Sequence, residues 1–246
     1  MDQILGVIPA RFGSERFPGK VLAPLGGKPM IQWVYEAALK SRSLDRVMIA
    51  VDDEKVMEAV KRFGGECCMT SSLHKSGTDR LKEVSEFLPG YGMLINIQGD
   101  EPGIEPELID GVADLLKSDF SLDAATAARP FRGDEDHTVP DRVKVVFTKK
   151  LRALYFSRSP IPYVRKSAGF IHYLHLGIYA YRRDFLHRFS LLPDSLLEQT
   201  ESLEQLRILE NDHSMGVFLC EDSLPGVDTP EDLKYIESVF KKKGII

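Results

Sequence analysis

The stretch PARFGSERFPGKVL (residues 9–22) follows the first apolar run of this chain. Two aspartates stand far downstream, Asp100 in NIQGDEP (96–102) and Asp228 in GVDTPEDL (226–233). Arg11, Arg16 and Lys20 fall within ten residues, and Gly13 and Gly19 leave backbone amides open between them. Such a loop suits an anion, because hydrogen bonds from guanidinium and ammonium groups to phosphate oxygens are roughly twice as strong as neutral ones. Neither common phosphate loop matches. A Walker A loop reads G-x-x-x-x-G-K-[S/T]. Here five residues separate the glycines, and Val21 follows Lys20, so no hydroxyl is offered to a metal. The fingerprint G-x-G-x-x-G is also absent, which disfavours a nicotinamide oxidoreductase.

The acids suggest the other half of the chemistry. Asn96 and Gln98 close an apolar run, Gly99 turns the chain, and Asp100 and Glu101 project beyond it. A carboxylate so placed suits Mg²⁺, which keeps several waters and is held by one or two protein carboxylates plus substrate phosphates. Glu101 and Glu105, with Pro102 and Pro106, also suit a plain helix entry; Asp100 suits it less. In GVDTPEDL, Thr229, Pro230, Glu231 and Asp232 form a helix start with a threonine cap, a first-position proline and acids in the first turn. Asp228 precedes that cap with no required structural task, and alone it suits a capping role and a metal role about equally. Two such acids facing an Arg/Lys loop fit phosphoryl or nucleotidyl transfer.

The elements that must position these residues alternate from the start. ILGVIPA (4–10) is strand-like, and KPMIQWVYEAALKS (28–41) carries Met30, Ile31, Val34, Tyr35 and Ala38 on one helical stripe. RVMIAVD (46–52) precedes EKVMEAVKRFGG, with Gly64–Gly65 as a helix stop; ECCMT (66–70) precedes TDRLKEVSEFL; and GMLINIQGD (92–100) precedes PELIDGVADLLKS. This βαβαβα order predicts an α/β fold, a doubly wound and mostly parallel sheet with right-handed crossovers. Ligands bind such sheets at the carboxyl ends of the strands, so the loops after residues 9, 52, 70 and 98 are the places to search. From about 121 the rhythm changes. LDAATAARP, RVKVVFTK, RALYFSRS and HLGIYAYRR read as strands joined by loops, an antiparallel extension suited to a substrate lid or dimer surface. One helix over LLEQTESLEQLRILE, the run MGVFLCE and a last helix, PEDLKYIESVFKKK, complete the chain.

At 246 residues, 43% hydrophobic, the chain suits a single domain. It divides into a nucleotide-binding half (1–120), the extension (121–225) and a metal-ligand loop with the C-terminal helix (226–246). A net charge of −5 argues against nucleic acid or a membrane surface as partner. No apolar run approaches the ~20 residues that span a bilayer. Adjacent Cys67 and Cys68 with a distant Cys220 do not match zinc spacing, and reduced buried thiols in a cytoplasmic protein are the plain reading.

Taken in order, PARFGSERFPGKVL, HKSGTDRL (74–81), NIQGDEP, ALYFSRSPIP (153–162), HLGIYAYRRDFL (175–186), LEQLRIL (203–209) and GVDTPEDL resemble the 3-deoxy-manno-octulosonate cytidylyltransferase (CMP-Kdo synthetase) family nearly end to end. The resemblance implies that CTP and the acidic sugar Kdo give CMP-Kdo and pyrophosphate for lipopolysaccharide biosynthesis, with Mg²⁺ required and a homodimer as the assembly. It places Ala10, Arg11 and Lys20 at the triphosphate, Asp100 and Asp228 on the metal, and Ser76, Thr78 and Arg80 at the nucleotide base. Lys20, Arg11, Asp100 and Asp228 thus form the catalytic set, and Gln98, Arg158, His175, Glu204 and Gln205 face the sugar. Arg158 has the fork that an acidic sugar's carboxylate needs.

Phe17 and Val21 depart from the family's usual Leu and Pro, and the segment before HLGIY is short. Another acidic sugar, 8-amino-Kdo or an acylneuraminate, is therefore the alternative substrate. A non-catalytic binding protein on the same scaffold would be expected to lose the phosphate-loop cations or metal ligands, and all are present. Without the motif match, His175 reads as a partly buried strand histidine, and Glu204 and Gln205 as the solvated face of a helix whose Leu203, Leu206, Ile208 and Leu209 form its core side. Trp33 reads as helix packing, and His172 and His175, three apart on a strand, fall on opposite faces.

Overall fold

The computed structural model describes residues 3–13, 17–74, 76–166, 169–193 and 195–246; Arg16 lies outside the described residues. The elements run β1 Gln3–Ala10, a 3₁₀ turn Lys20–Leu22, β2 Pro24–Leu25, β3 Lys28–Pro29, α1 Met30–Ala38, β4 Arg46–Val51, α2 Glu54–Arg62, β5 Cys67–Met69, α3 Gly77–Phe87 and β6 Tyr91–Asn96. They continue with α4 Pro106–Ser118, β7 Ala124–Pro130, β8 Lys144–Phe147, β9 Ala153–Ser157, β10 Tyr173–Arg182, α5 Arg183–Phe189, α6 Leu196–Glu201, α7 Leu206–Glu210, β11 Met215–Leu219 and α8 Pro230–Lys242. The chain divides into two compact units, one of Met1–Asp110 with Ser223–Ile246 and one of Gly111–Asp222. The first division falls inside α4 rather than near 121, and the C-terminal helix belongs with the N-terminal half.

The first unit is built on four parallel strands in the order β6-β1-β4-β5. β1 is central and covered on both faces: Ile4, Leu5, Val7, Ile8 and Ala10 are all buried. That is why it reads as an apolar run without alternation. The stripe predicted for α1 is its buried face, residue for residue. Asp53 caps α2 by accepting from the Lys55 amide, and Gly64 ends that helix at φ 78°. α8 starts with a capping box in which Thr229 and Asp232 exchange side-chain-to-amide bonds. Its Ile236 and Phe240 bury against Leu25, Met30 and Val227. Trp33 meets Phe240 edge-on at 5.1 Å and donates its indole N–H to the Leu25 carbonyl at 2.8 Å, the packing role expected of it.

In the second unit β7 lies between β11, parallel to it, and β10, antiparallel. β10, β8 and β9 then pair antiparallel in turn. The four expected strands and their antiparallel pairing are present; the run MGVFLCE forms β11, which pairs parallel to β7 rather than extending the antiparallel pattern. The stretch LLEQTESLEQLRILE is not one helix. It breaks at Ser202, which holds a left-handed φ of 52°, so α6 and α7 are separate and Gln205 sits at the N-cap of α7. Gln205 is consequently buried, against the expectation of a solvated face. α5 follows β10 with no intervening turn residue, which is why RRDFLHRF gave no sequence signal. A guanidinium–carboxylate fork of Arg129 on Glu135, both bonds 2.6 Å, ties β7 to the loop after it. None of the three cysteines forms a disulfide, and all are only half-buried, a correction to the buried-thiol reading. Among the described residues no helix is long and apolar enough to cross a membrane.

Candidate active site

The first unit gathers three of the predicted residues on one point. Gly99 makes this possible: a Cβ there would stand 2.6 Å from the Pro9 carbonyl oxygen, so only glycine lets the chain after β6 run against the end of β1. Asp100 follows immediately. Its carbonyl accepts from the Val227 amide at 2.8 Å, which pins GVDT beside it, while the capping box fixes the chain just beyond Asp228. From the other side, Gly19 adopts φ 69°, donates its amide to the Phe12 carbonyl at 3.0 Å and starts the 3₁₀ turn that carries Lys20.

The Lys20 ammonium then lies 2.5 Å from Asp100 Oδ2, 2.9 Å from Asp228 Oδ1 and 3.1 Å from the Val227 carbonyl oxygen. Burial alone would lower the lysine's pKa. Charge and hydrogen bonding from Asp100, then Asp228, outweigh it and hold the pKa above the ordinary value. Glu101, by contrast, is pushed up to about 8 by burial and by the Asp100 charge. The point where these oxygens meet is suited to a cation, and its donors are hard: two carboxylates and a carbonyl. Among the described residues no three His, Cys, Asp or Glu side chains cluster as a metal site. Two carboxylates and no more is the donor set Mg²⁺ uses when waters and substrate phosphates complete its shell, so the residues present fit that ion.

A second group lies at the carboxyl ends of β1 and β6 and at the start of α3. Ala10 is the buried last residue of β1, and Arg11 is exposed just beyond it. Ser76 caps α3 by accepting from the Asp79 amide at 3.1 Å, and Thr78 and Arg80 are buried on the first turns of that helix. Gln98 is half-buried, and its carbonyl accepts from the Glu101 amide at 3.3 Å.

The remaining sugar-side candidates belong to the second unit. Arg158 donates Nε to the Glu201 carbonyl at 2.7 Å, whereas its Nη1 and Nη2 make longer contacts, 3.4 Å to the Pro140 carbonyl, 3.5 Å to the Asp141 carboxylate and 3.3 Å to the Ser202 carbonyl. Buried Lys144 donates to the Arg158 carbonyl and holds the same loop. His175 Nε2 meets the Thr126 hydroxyl at 3.0 Å, and its ring stands edge-on to Phe156 at 4.9 Å. Burial pushes its pKa down to about 3, so it is a neutral imidazole and not a cation for a sugar carboxylate. Glu204 is half-buried beside Gln205.

Three contributors escaped the sequence reading. Asp52 accepts from the Phe12 amide and from Arg80; the Val227 carbonyl accepts from Lys20; and Glu83 accepts from the Ser71 amide and meets His74 at 2.5 Å. Asp52 did carry a signal, since it ends a strand at the binding edge of the sheet.

The family described as "Cytidylyltransferase" matches residues 5–215. The chain is 54% identical over 245 residues to a 3-deoxy-manno-octulosonate cytidylyltransferase of Leptospira biflexa, covering 100% of this chain and 99% of that protein. It is 45% identical to one of Syntrophobacter fumaroxidans, with 99% of each covered. Among solved structures it is similar to CMP:2-keto-3-deoxy-manno-octonic acid synthetase complexed with CTP, at TM-score 0.94 and 44% identity over 98% of this chain and 99% of that one. A 4-diphosphocytidyl-2C-methyl-D-erythritol synthase from Anaerococcus prevotii, at 12% identity and TM-score 0.67 over 98% and 99%, shares the fold alone. A match over most of its length, with such relatives spanning the whole of it, places this chain in the cytidylyltransferase family.

Proposed function

We propose that the protein transfers CMP from CTP to the anomeric hydroxyl of Kdo, giving CMP-Kdo and pyrophosphate, and that this serves lipopolysaccharide biosynthesis in the cytoplasm. The observation that carries the reading is the meeting of Lys20 with Asp100 and Asp228 at one point. The sugar oxygen attacks the α-phosphorus in line with the departing pyrophosphate, so the O–P bond forms as the bond to the β-phosphate oxygen breaks, and the hydroxyl proton is lost. Negative charge builds on the phosphate oxygens. Fixed donors aimed at that charge are among the largest contributors to catalysis. Lys20, held at this point by Asp100 and Asp228, and Arg11 just beyond β1 would be those donors. Asp100 and Asp228 would hold Mg²⁺, which offsets charge on the phosphate oxygens when bound.

On the sugar side the assigned residues are Gln98, Arg158, His175, Glu204 and Gln205. Arg158 is anchored through Nε, and a sugar carboxylate would replace the long Nη contacts to two carbonyls and to the exposed Asp141 carboxylate with shorter, charge-assisted ones. His175 contributes a neutral hydrogen-bonding ring. The assembly is a homodimer. Tyr163, Val164, Phe170 and Ile171 of the second unit are exposed apolar side chains that such an assembly would cover.

The test is pyrophosphate release from CTP, UTP or GTP with Kdo, 8-amino-Kdo or an acylneuraminate, with and without EDTA. Activity only with CTP and a Kdo-type sugar, lost on chelation, is expected. An acylneuraminate as the sole substrate, or turnover unaffected by EDTA, contradicts the reading.

A further inference from the structure

Asp52 stands at the end of β4 with its carboxylate divided between two structures. Oδ1 accepts from the Phe12 amide at 3.0 Å and so holds the phosphate loop where it leaves β1. Oδ2 accepts from Arg80 Nη2 at 3.1 Å on α3. Arg80 is fully buried, and its remaining bonds are few: Nη1 donates to the Thr70 hydroxyl, which in turn donates to the Val51 carbonyl at 2.8 Å. Among the described residues Nε has no hydrogen-bond partner. The Arg11 guanidinium lies near enough to Arg80 to add to burial in lowering its pKa, and Asp52 is the leading charge opposing both. A buried guanidinium beside a second one keeps its place only if an anion holds it.

We propose that Asp52 is a positioning residue for the nucleotide, locking the triphosphate loop and the Arg80 side chain of the base pocket into one register. The inference rests on the nucleotide reading of Arg11 and Arg80 given above. Without the carboxylate, the two arginines repel, Phe12 loses its anchor, and the two halves of the CTP site move independently. Sugar recognition, which uses neither group, is untouched.

The test is CTP binding by calorimetry in the presence of Mg²⁺, with the KM for Kdo and the melting temperature measured alongside. Asp52→Asn keeps an acceptor for the Phe12 amide while removing the Arg80 partner. It should weaken CTP binding roughly ten- to a hundredfold, as loss of a hydrogen bond to a charged group does, and leave the KM for Kdo within twofold. In a double-mutant cycle with Arg80→Met the two losses should be less than additive. Should Asp52→Asn not fold, Asp52→Glu keeps the charge but displaces it by one methylene, and a several-fold weakening is then expected. Unchanged CTP affinity in a folded variant, or full additivity, overturns the inference. A wild-type protein that does not bind CTP would instead overturn the nucleotide reading itself.

Discussion

Lys20 and Asp100, 80 positions apart, are joined by an ammonium–carboxylate contact of 2.5 Å, and the same ammonium reaches Asp228 at 2.9 Å. The lysine is therefore a counter-cation shared by the two carboxylates. Lys20→Met should cut turnover by about 10²–10³-fold, the scale of losing one preorganised donor to transition-state charge. The two carboxylates should then gain more from a divalent ion, so Mg²⁺ should raise the melting temperature of Lys20→Met by more than that of the wild type. Equal metal shifts in both proteins would argue that the aspartates do not share the ion.

Acid stability should show two windows. His175 has its pKa pushed down by burial from 6.5 to about 3, so between those values the unfolded chain binds a proton that the folded chain refuses. Stability falls as pH drops through that window, by up to about 1.4 kcal/mol per unit. Glu135 is lowered from 4.5 to about 2, by the Arg129 hydrogen bonds first and the Arg132 amide after, against the opposing effect of burial. Its contribution is complete above pH 4.5 and is lost toward pH 2. In urea titrations across pH, His175→Gln should flatten the slope above pH 4.5 and leave the more acid limb in place. Glu135→Gln, which removes the carboxylate fork from the buried Arg129 guanidinium, should cost about 3–5 kcal/mol at neutral pH.

The placement of Asp228 depends on the apolar cluster beneath it. Val227, Ile236 and Phe240 are buried together with Leu25 and Met30. Phe240→Ala should destabilise the protein by about 3–5 kcal/mol and lower kcat before it alters the KM for Kdo. Trp33, the one tryptophan of the chain, touches Phe240 and should report the loosening as a change in its emission. An unchanged spectrum and melting curve would contradict the packing.

Arg158→Lys retains the charge but not the fork. The KM for Kdo should rise about tenfold or more while the KM for CTP stays within twofold, as a bidentate carboxylate contact predicts. Equal changes in both would point to a role in folding instead.

Much of this was legible in the sequence because period and punctuation state it directly. The apolar stripe of α1, the Thr229 cap with Pro230, and the glycine stop after α2 are local signals, and the structure uses each as written. Asp100 and Asp228 stood out because neither had a required capping or packing task. What stayed hidden was non-local or conformational. Ser202 breaks a continuous helical pattern by taking a left-handed backbone that propensity assigns to glycine, and Gln205 is buried as a result. Nothing within ten residues of Asp52 announces that its partners are Phe12 and Arg80. His175 is a half-buried strand histidine, as its setting in HLGIY suggests; its Thr126 and Phe156 partners are what its flanking residues do not disclose.

The central claim is that the two aspartates and Lys20 act on one transferred cytidylyl group. Its most direct test is the initial rate of pyrophosphate release from CTP and Kdo by Asp100→Asn, with circular dichroism and the melting temperature as checks on folding. A folded variant slowed by about 10²–10³-fold or more, with CMP-Kdo and pyrophosphate still formed in equal amounts, is the predicted result. A folded Asp100→Asn that turns over within a few-fold of the wild type would contradict the account.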